Sequence, residues 1–279
     1  MGTFMFLFLL ATMIEMYPDE EIKEKNQQIS EKIQKIFEIQ DDIENIHPFL
    51  KHLFPIAVVK NDTFYVFDVD SLRRNYFFVK KFPSPVAVPK RIRAAFPLDF
   101  YQNKIACVIS DDAFESLEGY ILIFHEFMHC NQWEICEPKL KQKLGIYKEA
   151  LKEKNYSWEL NYPFPFSNPK FVKIYSNFMD ALDKGKKEDI FDLRKELKEI
   201  LSKDDFEYMV WQEWKEGFTR FIENKIRKRL GVEENHRGKD QPFSRVTFYE
   251  GGAKFIEYLS KNNPSLLVNI EELFYTIIR

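Results

Sequence analysis

The chain has 279 residues, of which 45% are hydrophobic and 30% are charged, and its formal net charge is −3 at pH 7. This composition is typical of a globular protein rather than a disordered one. The weak negative charge argues against a nucleic-acid-binding protein, which normally has a basic domain.

An apolar run of 11 residues, FMFLFLLATMI, lies at residues 4–14. A membrane-spanning helix needs about 20 residues, so this run is too short. A secretory signal needs a basic residue before its apolar part, and the first Lys or Arg here is Lys23. We therefore expect segment 1–18 to pack on the core of a cytoplasmic protein. The alternative is a secreted protein, or one anchored to a membrane through residues 4–14.

Residues 19–136 are predicted to form an α+β subdomain. Isoleucines at helical spacing indicate an amphipathic helix that ends near His47-Pro48. Four runs of β-branched and aromatic residues then predict strands, at 56–60, 63–69, 76–82 and 104–110. Asn61-Asp62 marks a hairpin turn between the first two. Prolines break residues 83–97, for which we expect a mixture of loop and helix.

Residues 137–279 are predicted to form a helical subdomain. Periodic apolar residues indicate helices at 137–154, 168–184, 187–201, 204–230, 245–260 and 265–278, after an earlier helix at 113–131. Two loops interrupt this pattern, the aromatic segment 156–169 and the polar segment 231–244. The predicted fold class is α+β, with a small N-terminal mixed sheet followed by a mainly helical half.

The three cysteines, Cys107, Cys130 and Cys136, are too few for a disulfide framework. We expect buried thiols, with a Cys130–Cys136 bridge as the alternative. A zinc site built from cysteines is not expected, because the chain has no C-x-x-C pair.

The segment His125-Glu126-Phe127-Met128-His129 has the form H-E-x-x-H within an apolar predicted helix. Residues four apart share one helix face, so His125 and His129 can bind one metal ion. Glu126 is rotated by about 100° from His125 and comes beside the metal as a general base. A buried carboxylate without a partner is costly, and a cation removes that cost. The motif therefore predicts a zinc site, with a chance match as the alternative.

A catalytic zinc site usually has three protein ligands and an open position. The longer pattern H-E-x-x-H-x-x-G-x-x-H is excluded, because Gln132 replaces its glycine and Ile135 its third histidine. We therefore expect an acidic third ligand from a later helix. The candidates are Glu213, Glu216 and Glu223.

Glu216 is the preferred candidate because Gly217 follows it. Glycine within a helix costs about 1 kcal/mol relative to alanine. That cost is reasonable where two helices approach closely to share a metal. Glu213 and Glu223 are alternatively solvated surface charges, and Arg220 is placed to orient Glu216 or Glu223.

The motifs together resemble the gluzincin branch of zinc metallopeptidases, in particular the peptidase-MA-like families. Those families carry a W-x-x-E-G-hydrophobic-A segment whose glutamate is the third zinc ligand. Residues 214–218, Trp-Lys-Glu-Gly-Phe, are similar to it, with the tryptophan two residues before the glutamate instead of three and with Thr219 in place of alanine. Residues 248–262 are similar to the Y-x-x-G helix that follows, through Tyr249, Gly252, Phe255 and Leu259. The resemblance covers residues 104–262 and implies a zincin-like fold and peptide-bond hydrolysis.

In the reaction that this resemblance implies, His125, His129 and Glu216 hold Zn²⁺, which activates a water molecule. Glu126 accepts the proton of that water and delivers it to the leaving amine. A further donor is Tyr249, by the resemblance, or His236 in the polar loop before that helix. The alternatives are a half-buried helix aromatic for Tyr249 and an exposed loop histidine for His236.

The resemblance also implies that an extended peptide pairs with an edge strand just upstream of the zinc helix. Residues 104–110 are the candidate strand. The aromatic loop 156–169 forms either a wall of the substrate site or ordinary packing. His47 and His52 are interpreted as structural.

The leading hypothesis is a zinc-dependent metallopeptidase that acts on a peptide or protein substrate. The alternative is a metal-binding protein of zincin-like fold without proteolytic activity, in a scaffold or regulatory role. A third hypothesis is a helical interaction protein with a chance motif. The G-x-M-E-N segment of zinc aminopeptidases is absent, which disfavours that subclass.

Overall fold

The computed structural model describes residues 27–84, 88–89 and 91–279. The apolar run at 4–14 and the predicted segment 1–18 lie outside these residues. The described chain has one five-stranded mixed sheet, followed by a mainly helical remainder. The α+β class predicted from the sequence is confirmed.

The sheet contains β1 (Ile56–Lys60), β2 (Thr63–Asp70), β3 (Asn75–Pro83), β4 (Arg93–Leu98) and β5 (Lys104–Ser110). Its spatial order is β3-β2-β1-β5-β4. β1 pairs in parallel with β5, and the other neighbouring pairs are antiparallel. Asn61 and Asp62 have φ of 49° and 51°, as a two-residue hairpin turn requires, so the predicted hairpin is confirmed.

Two predictions about the sheet were wrong. Most of the outer strand β4 lies in the Pro-broken region 83–97, for which loop and helix were expected. Pro97 is tolerated in this strand because an outer strand does not need every N–H for pairing. Strand β5 lies between β1 and β4, so residues 104–110 are not an edge. Of the two outer strands of the described sheet, β3 and β4, β4 is the nearer in sequence to the H-E-x-x-H helix.

The helices are α1 (27–43), α2 (Leu117–Ile135), α3 (Glu137–Lys141), α4 (Gly145–Lys152), α5 (Trp158–Asn161), α6 (Pro169–Lys184), α7 (Lys187–Ile200), α8 (Lys203–Arg229), α9 (Arg245–Asn262) and α10 (Ile270–Ile278). The helix expected at 137–154 is divided into α3 and α4. A separate N-terminus at α4 is stabilised by Glu207, whose Oε2 accepts a hydrogen bond from Ile146 N at 3.1 Å. The helix expected at 265–278 is likewise divided into a short 3-10 helix, Pro264–Leu267, and α10.

Helix α2, which carries the H-E-x-x-H motif, packs against β4, β5 and α8. It begins later than predicted, because Asp111–Glu115 is a 3-10 helix and Ser116 is extended. The Ser116 hydroxyl accepts a hydrogen bond from Gly119 N at 3.1 Å and caps the helix. A Cβ atom at Gly119 would lie 2.0 Å from the carbonyl oxygen of Ala113, so only glycine allows this entry.

A continuous cluster of buried apolar side chains extends from the sheet through α2 and α8 to α10. Cys107, Cys130 and Cys136 belong to it as free, buried thiols, which confirms the expectation of thiols over a Cys130–Cys136 bridge. None of the helices in the described part of the chain is both long and apolar enough to cross a membrane.

Candidate metal centre

Helices α2 and α8 bring His125, His129 and Glu216 together. Their ligand atoms all lie within 4.8 Å of one another. Glu216 Oε2 is 3.5 Å from His129 Nε2 and 3.8 Å from His125 Nε2. Two imidazole nitrogens and one carboxylate oxygen are a ligand set that Zn²⁺ accepts. This buried cluster could bind a metal ion.

The orientation of His125 is set by Glu223, two turns after Glu216 in α8. Glu223 Oε2 lies 2.9 Å from His125 Nδ1, so Nδ1 carries the proton and donates it. The other ring nitrogen, Nε2, lies 3.8 Å from Glu216 Oε2 and 3.2 Å from the Thr219 hydroxyl. Once Nε2 has lost its proton, its lone pair can bind a metal ion on that side. A carboxylate behind a metal-binding histidine fixes the tautomer and makes the imidazole a stronger ligand.

Glu223 is itself held by several donors. Arg227 Nε donates to its Oε1 at 2.7 Å, and Asn235 Nδ2 donates to the same oxygen at 3.1 Å. Arg220 Nε lies 3.5 Å from Oε2. Burial opposes the charge of Glu223, but the interaction with His125 and the charges of His125 and Arg220 outweigh it and hold the pKa well below its usual value. Glu223 is therefore ionised at neutral pH.

The orientation of His129 is set by Gln132, one turn further along α2. The Gln132 amide donates to the carbonyl oxygens of Trp214 and Lys215 at 3.4 and 3.1 Å. Its Oε1 must then accept, and it lies 2.9 Å from His129 Nδ1. The proton of His129 is thereby placed on Nδ1, and Nε2 faces the cluster. The residue that replaces glycine in the longer zinc pattern thus ties the two ligand-bearing helices together.

The electrostatic environment of the cluster favours positive charge. Burial opposes a charge on His125, but Glu216 and Glu223 outweigh it and raise the pKa of His125 to about 10. Burial likewise opposes the charge of Glu216, yet His129 and His125 hold its pKa well below the usual range. A divalent cation supplies the positive charge that this arrangement attracts.

Glu126 is buried beside the cluster with 6% exposure. None of the described residues forms a hydrogen bond or ion pair with its carboxylate. Burial raises the pKa of Glu126, and the charges of His129 and His125 oppose the rise. A buried carboxyl group with a raised pKa next to a candidate metal site is suited to accepting a proton and passing it on.

Tyr249 and His236 occupy different surroundings. Tyr249 is half-buried on α9; burial raises the pKa of its hydroxyl, and the charge of the nearby Glu216 adds to the rise. His236 is 53% exposed, with Nδ1 3.1 Å from Glu250 Oε1 and Nε2 3.7 Å from Glu234 Oε2. The structure therefore brings Tyr249 to the cluster and leaves His236 with Glu250 and Glu234.

Both alternative glutamates of α8 are buried, so their interpretation as solvated surface charges was wrong. Glu223 is 1% exposed and supports His125, as described above. Glu213 is fully buried and pairs with Arg194, whose Nη2 lies 2.6 Å from Glu213 Oε2. The Tyr175 hydroxyl also donates to Glu213 at 2.9 Å. Arg220 orients Glu223, one of the two options expected for it.

The close helix approach at Gly217 involves a different pair of helices from the one expected. A Cβ atom at Gly217 would lie 2.7 Å from the backbone of Gly252, and one at Gly252 would lie 2.4 Å from the carbonyl oxygen of Glu213. These two glycines thus let α8 approach α9, which carries Tyr249. A close contact of α8 with the H-E-x-x-H helix α2 was expected at Gly217. Instead, the side chains of His125, His129, Glu216 and Gln132 bridge the space between α2 and α8.

His47, His52 and the aromatic loop 156–169 all make contacts within the protein. His47 Nε2 donates to the carbonyl oxygen of Leu267 at 2.9 Å, and its Nδ1 accepts from Phe49 N at 3.2 Å. His52 stacks on Phe54. Trp158 and Phe164 of the aromatic loop are buried, and Tyr162 stacks on Tyr208 at 4.6 Å between ring centroids, whereas Tyr156 is exposed.

No protein-family model matches the chain, and no curated protein or solved structure matches it. The chemistry of the cluster is therefore the basis on which a function can be assigned.

Proposed function

We propose that the protein is a zinc-dependent metallopeptidase of zincin-like fold. The observation that carries the proposal is the convergence of His125, His129 and Glu216 within 4.8 Å, with Glu126 buried beside them. Three protein ligands on two helices leave a coordination position for a reactant, which is typical of catalytic rather than structural zinc. Bound zinc would polarise a substrate carbonyl and acidify water.

Glu126 is the general base in this proposal. Its carboxylate has no competing partner among the described residues, so it is free to accept a proton from water and to transfer it to the leaving amine. Because burial raises its pKa, the protonated form is accessible during turnover. General acid–base catalysis of this kind contributes typically 10²–10⁴-fold to the rate.

Tyr249 is the donor that we assign to the developing negative charge on the substrate oxygen. Burial raises its pKa and Glu216 raises it further, so the hydroxyl keeps its proton at neutral pH. Tyr249 is preferred to His236 because Glu250 engages the Nδ1 atom of that histidine.

The free edge of β4 is the surface that we assign to an extended substrate. Among the described residues, β4 pairs with β5 on one side only, and it packs against α2. Backbone N–H and C=O groups along a free edge pair readily with an added peptide strand. This assignment replaces residues 104–110, which lie inside the sheet.

Metal content and peptide hydrolysis, measured on the same preparations, test the proposal. We expect about one zinc per chain in the wild type, loss of zinc in His125→Ala and Glu216→Ala, and retention of zinc in Glu126→Gln. Hydrolysis of a peptide library by Glu126→Gln should fall by about 10²-fold or more. Undiminished zinc binding by Glu216→Ala would contradict the ligand assignment.

A second candidate function is metal binding without proteolysis, in a scaffold or regulatory role. It is favoured if the wild type binds zinc tightly but hydrolyses no member of the library. A purified protein without any bound metal would instead favour the chance-motif hypothesis of a helical interaction protein.

A further inference from the structure

Arg245, the first residue of α9, has an unusual environment for a partly exposed arginine. Its guanidinium carbon lies 5.4 Å from the centroid of the Tyr249 ring, one turn further along the helix. No described residue forms a hydrogen bond or ion pair with it. Stacking over an aromatic ring leaves the N–H groups at the rim of the guanidinium free to donate.

Arg220 lies near the same ring and provides a contrast. Its guanidinium carbon is 5.6 Å from the centroid of Tyr249. However, Arg220 Nη1 donates to the carbonyl oxygens of Asn235 and Arg237, and its Nε faces Glu223. Arg220 is also only 5% exposed, so its guanidinium interacts with groups inside the protein. Of these two cations at Tyr249, Arg245 is the one that is partly exposed and has neither a hydrogen-bond nor an ion-pair partner among the described residues.

The contact between α8 and α9 relates Arg245 to the cluster. Gly217, which follows Glu216, lies against the backbone of Gly252 on α9. Tyr249 and Arg245 lie about one and two turns before Gly252 on that helix. Arg245 therefore precedes by two turns the point where α9 meets the helix of Glu216.

No described carboxylate pairs with Arg245, so its positive charge has no partner among the described residues. The ligand that best matches the planar fork of arginine is a carboxylate held by two parallel hydrogen bonds.

We propose that Arg245 binds a carboxylate of the peptide substrate and thereby determines specificity. This inference rests on the proposed peptidase function and adds the substrate class. The carboxylate is supplied either by the free C-terminus of the peptide or by an acidic side chain near the scissile bond. Arg245 is a specificity residue here, and Glu126 remains the general base.

The test compares matched peptide pools with full-length, zinc-loaded protein. One hexapeptide pool is synthesised twice, with a C-terminal carboxylate or a C-terminal amide, and a second pair exchanges internal Glu for Gln. Equilibrium dialysis against Glu126→Gln protein, followed by mass spectrometry, measures binding without turnover. Wild-type kcat/KM values are measured on the same pools.

Arg245→Gln is introduced into both backgrounds, with Arg237→Gln as the matched control in the exposed loop before α9. Hydrogen bonds to a charged group contribute about 1.5–3 kcal/mol, so Arg245→Gln should weaken carboxylate-dependent binding and kcat/KM by about tenfold to hundredfold. Binding of the uncharged peptides should not change. Arg245→Lys keeps the charge without the fork and should be intermediate.

If the protein with Arg245 binds the peptide acids more tightly than the amides and Arg245→Gln removes that preference, the peptide C-terminus is the ligand. A preference for Glu over Gln that disappears identifies an acidic side chain. The inference would be overturned if Arg245→Gln weakened the binding of charged and uncharged peptides equally, or weakened neither. Absence of hydrolysis by the wild type contradicts the peptidase proposal alone, because the dialysis result still tests Arg245.

Discussion

Glu213, Glu216 and Glu223 lie on one helix, yet each has different chemical surroundings. Glu216 faces two imidazoles, Glu223 stands behind one of them, and Glu213 points to an arginine. The spacing of three and seven residues is compatible with a shared helix face, so the sequence could not separate their roles. The separation comes from α6 and α7, which supply the partners of Glu213.

Replacing Glu213 by alanine should destabilise the fold without changing the metal site. Arg194 would keep its buried charge without a carboxylate, and loss of one partner from such a pair costs about 3–5 kcal/mol. Urea denaturation measures the loss, with the exposed Glu257→Ala as control. Zinc per folded chain should stay at the wild-type value. A stable variant that has lost its zinc would contradict the structural role of Glu213.

Replacing Glu223 by glutamine should weaken zinc binding while leaving all three ligands in place. The amide carries no charge and is a poorer acceptor for His125 Nδ1. Loss of such a supporting group typically lowers metal affinity by about 10–100-fold. Competition with a zinc chelator measures the change, and Glu257→Gln is the control. Unchanged affinity would mean that Glu223 only fills space.

At the scale of elements, the sequence predicted the motif helix and the long helices well, because each has a strong apolar period or an identifiable cap. It failed at β4, where proline normally argues against a strand, and at the division between α3 and α4, which depends on Glu207 from a distant helix. His125, Glu126 and His129 lie within five residues of one helix, so the helix period alone predicts their relative positions. Gln132 gave no local signal, and Glu223 was only one of three candidate ligands, because the roles of both residues exist only once α2 meets α8.

The contact between Gly217 and Gly252 sets the distance from α8 to α9. In Gly252→Ala the new Cβ would meet the backbone of Glu213, so the helices must separate. We expect a loss of about 1–3 kcal/mol in the free energy of unfolding, as for other overpacked sites. Zinc binding should survive because the ligands lie on α2 and α8, whereas kcat/KM should fall because Tyr249 moves with α9.

Lys261→Ala on an exposed part of α9 is the control for this prediction. Calorimetry, zinc content and hydrolysis measured together separate the two effects. Loss of zinc in the folded Gly252→Ala protein would show that α9 supports the ligands directly.

At the scale of the whole molecule, four buried or half-buried charges join three helices beside the metal cluster. Lys141 and Lys215 each contact Glu137 and Glu159, at 2.7–3.0 Å. These residues belong to α3, α5 and α8, and Lys215 immediately precedes Glu216. These ion pairs therefore hold α3 and α5 against α8 next to Glu216, the candidate third ligand.

Acid should destabilise the protein through Glu159. Burial opposes its charge, but Lys215 and Lys141 outweigh burial and lower its pKa from 4.5 to about 2. Because the folded-state pKa is the lower one, the contribution to stability is complete above pH 4.5 and is lost as the pH falls towards 2. Urea denaturation at several pH values should show a smaller dependence in Glu159→Gln than in the wild type. An unchanged slope would contradict this assignment.

The division of the metal cluster between α2 and α8 also has a consequence for biosynthesis. Glu216 follows His129 by 87 residues (216 − 129). A ribosome adds about 5–20 residues per second, so the nascent chain presents both histidines for roughly 4–17 s before Glu216 has been made. During that interval the apolar helix α2 has no α8 to cover it. A metal ion that needs all three residues can therefore be bound stably only late in the production of this protein.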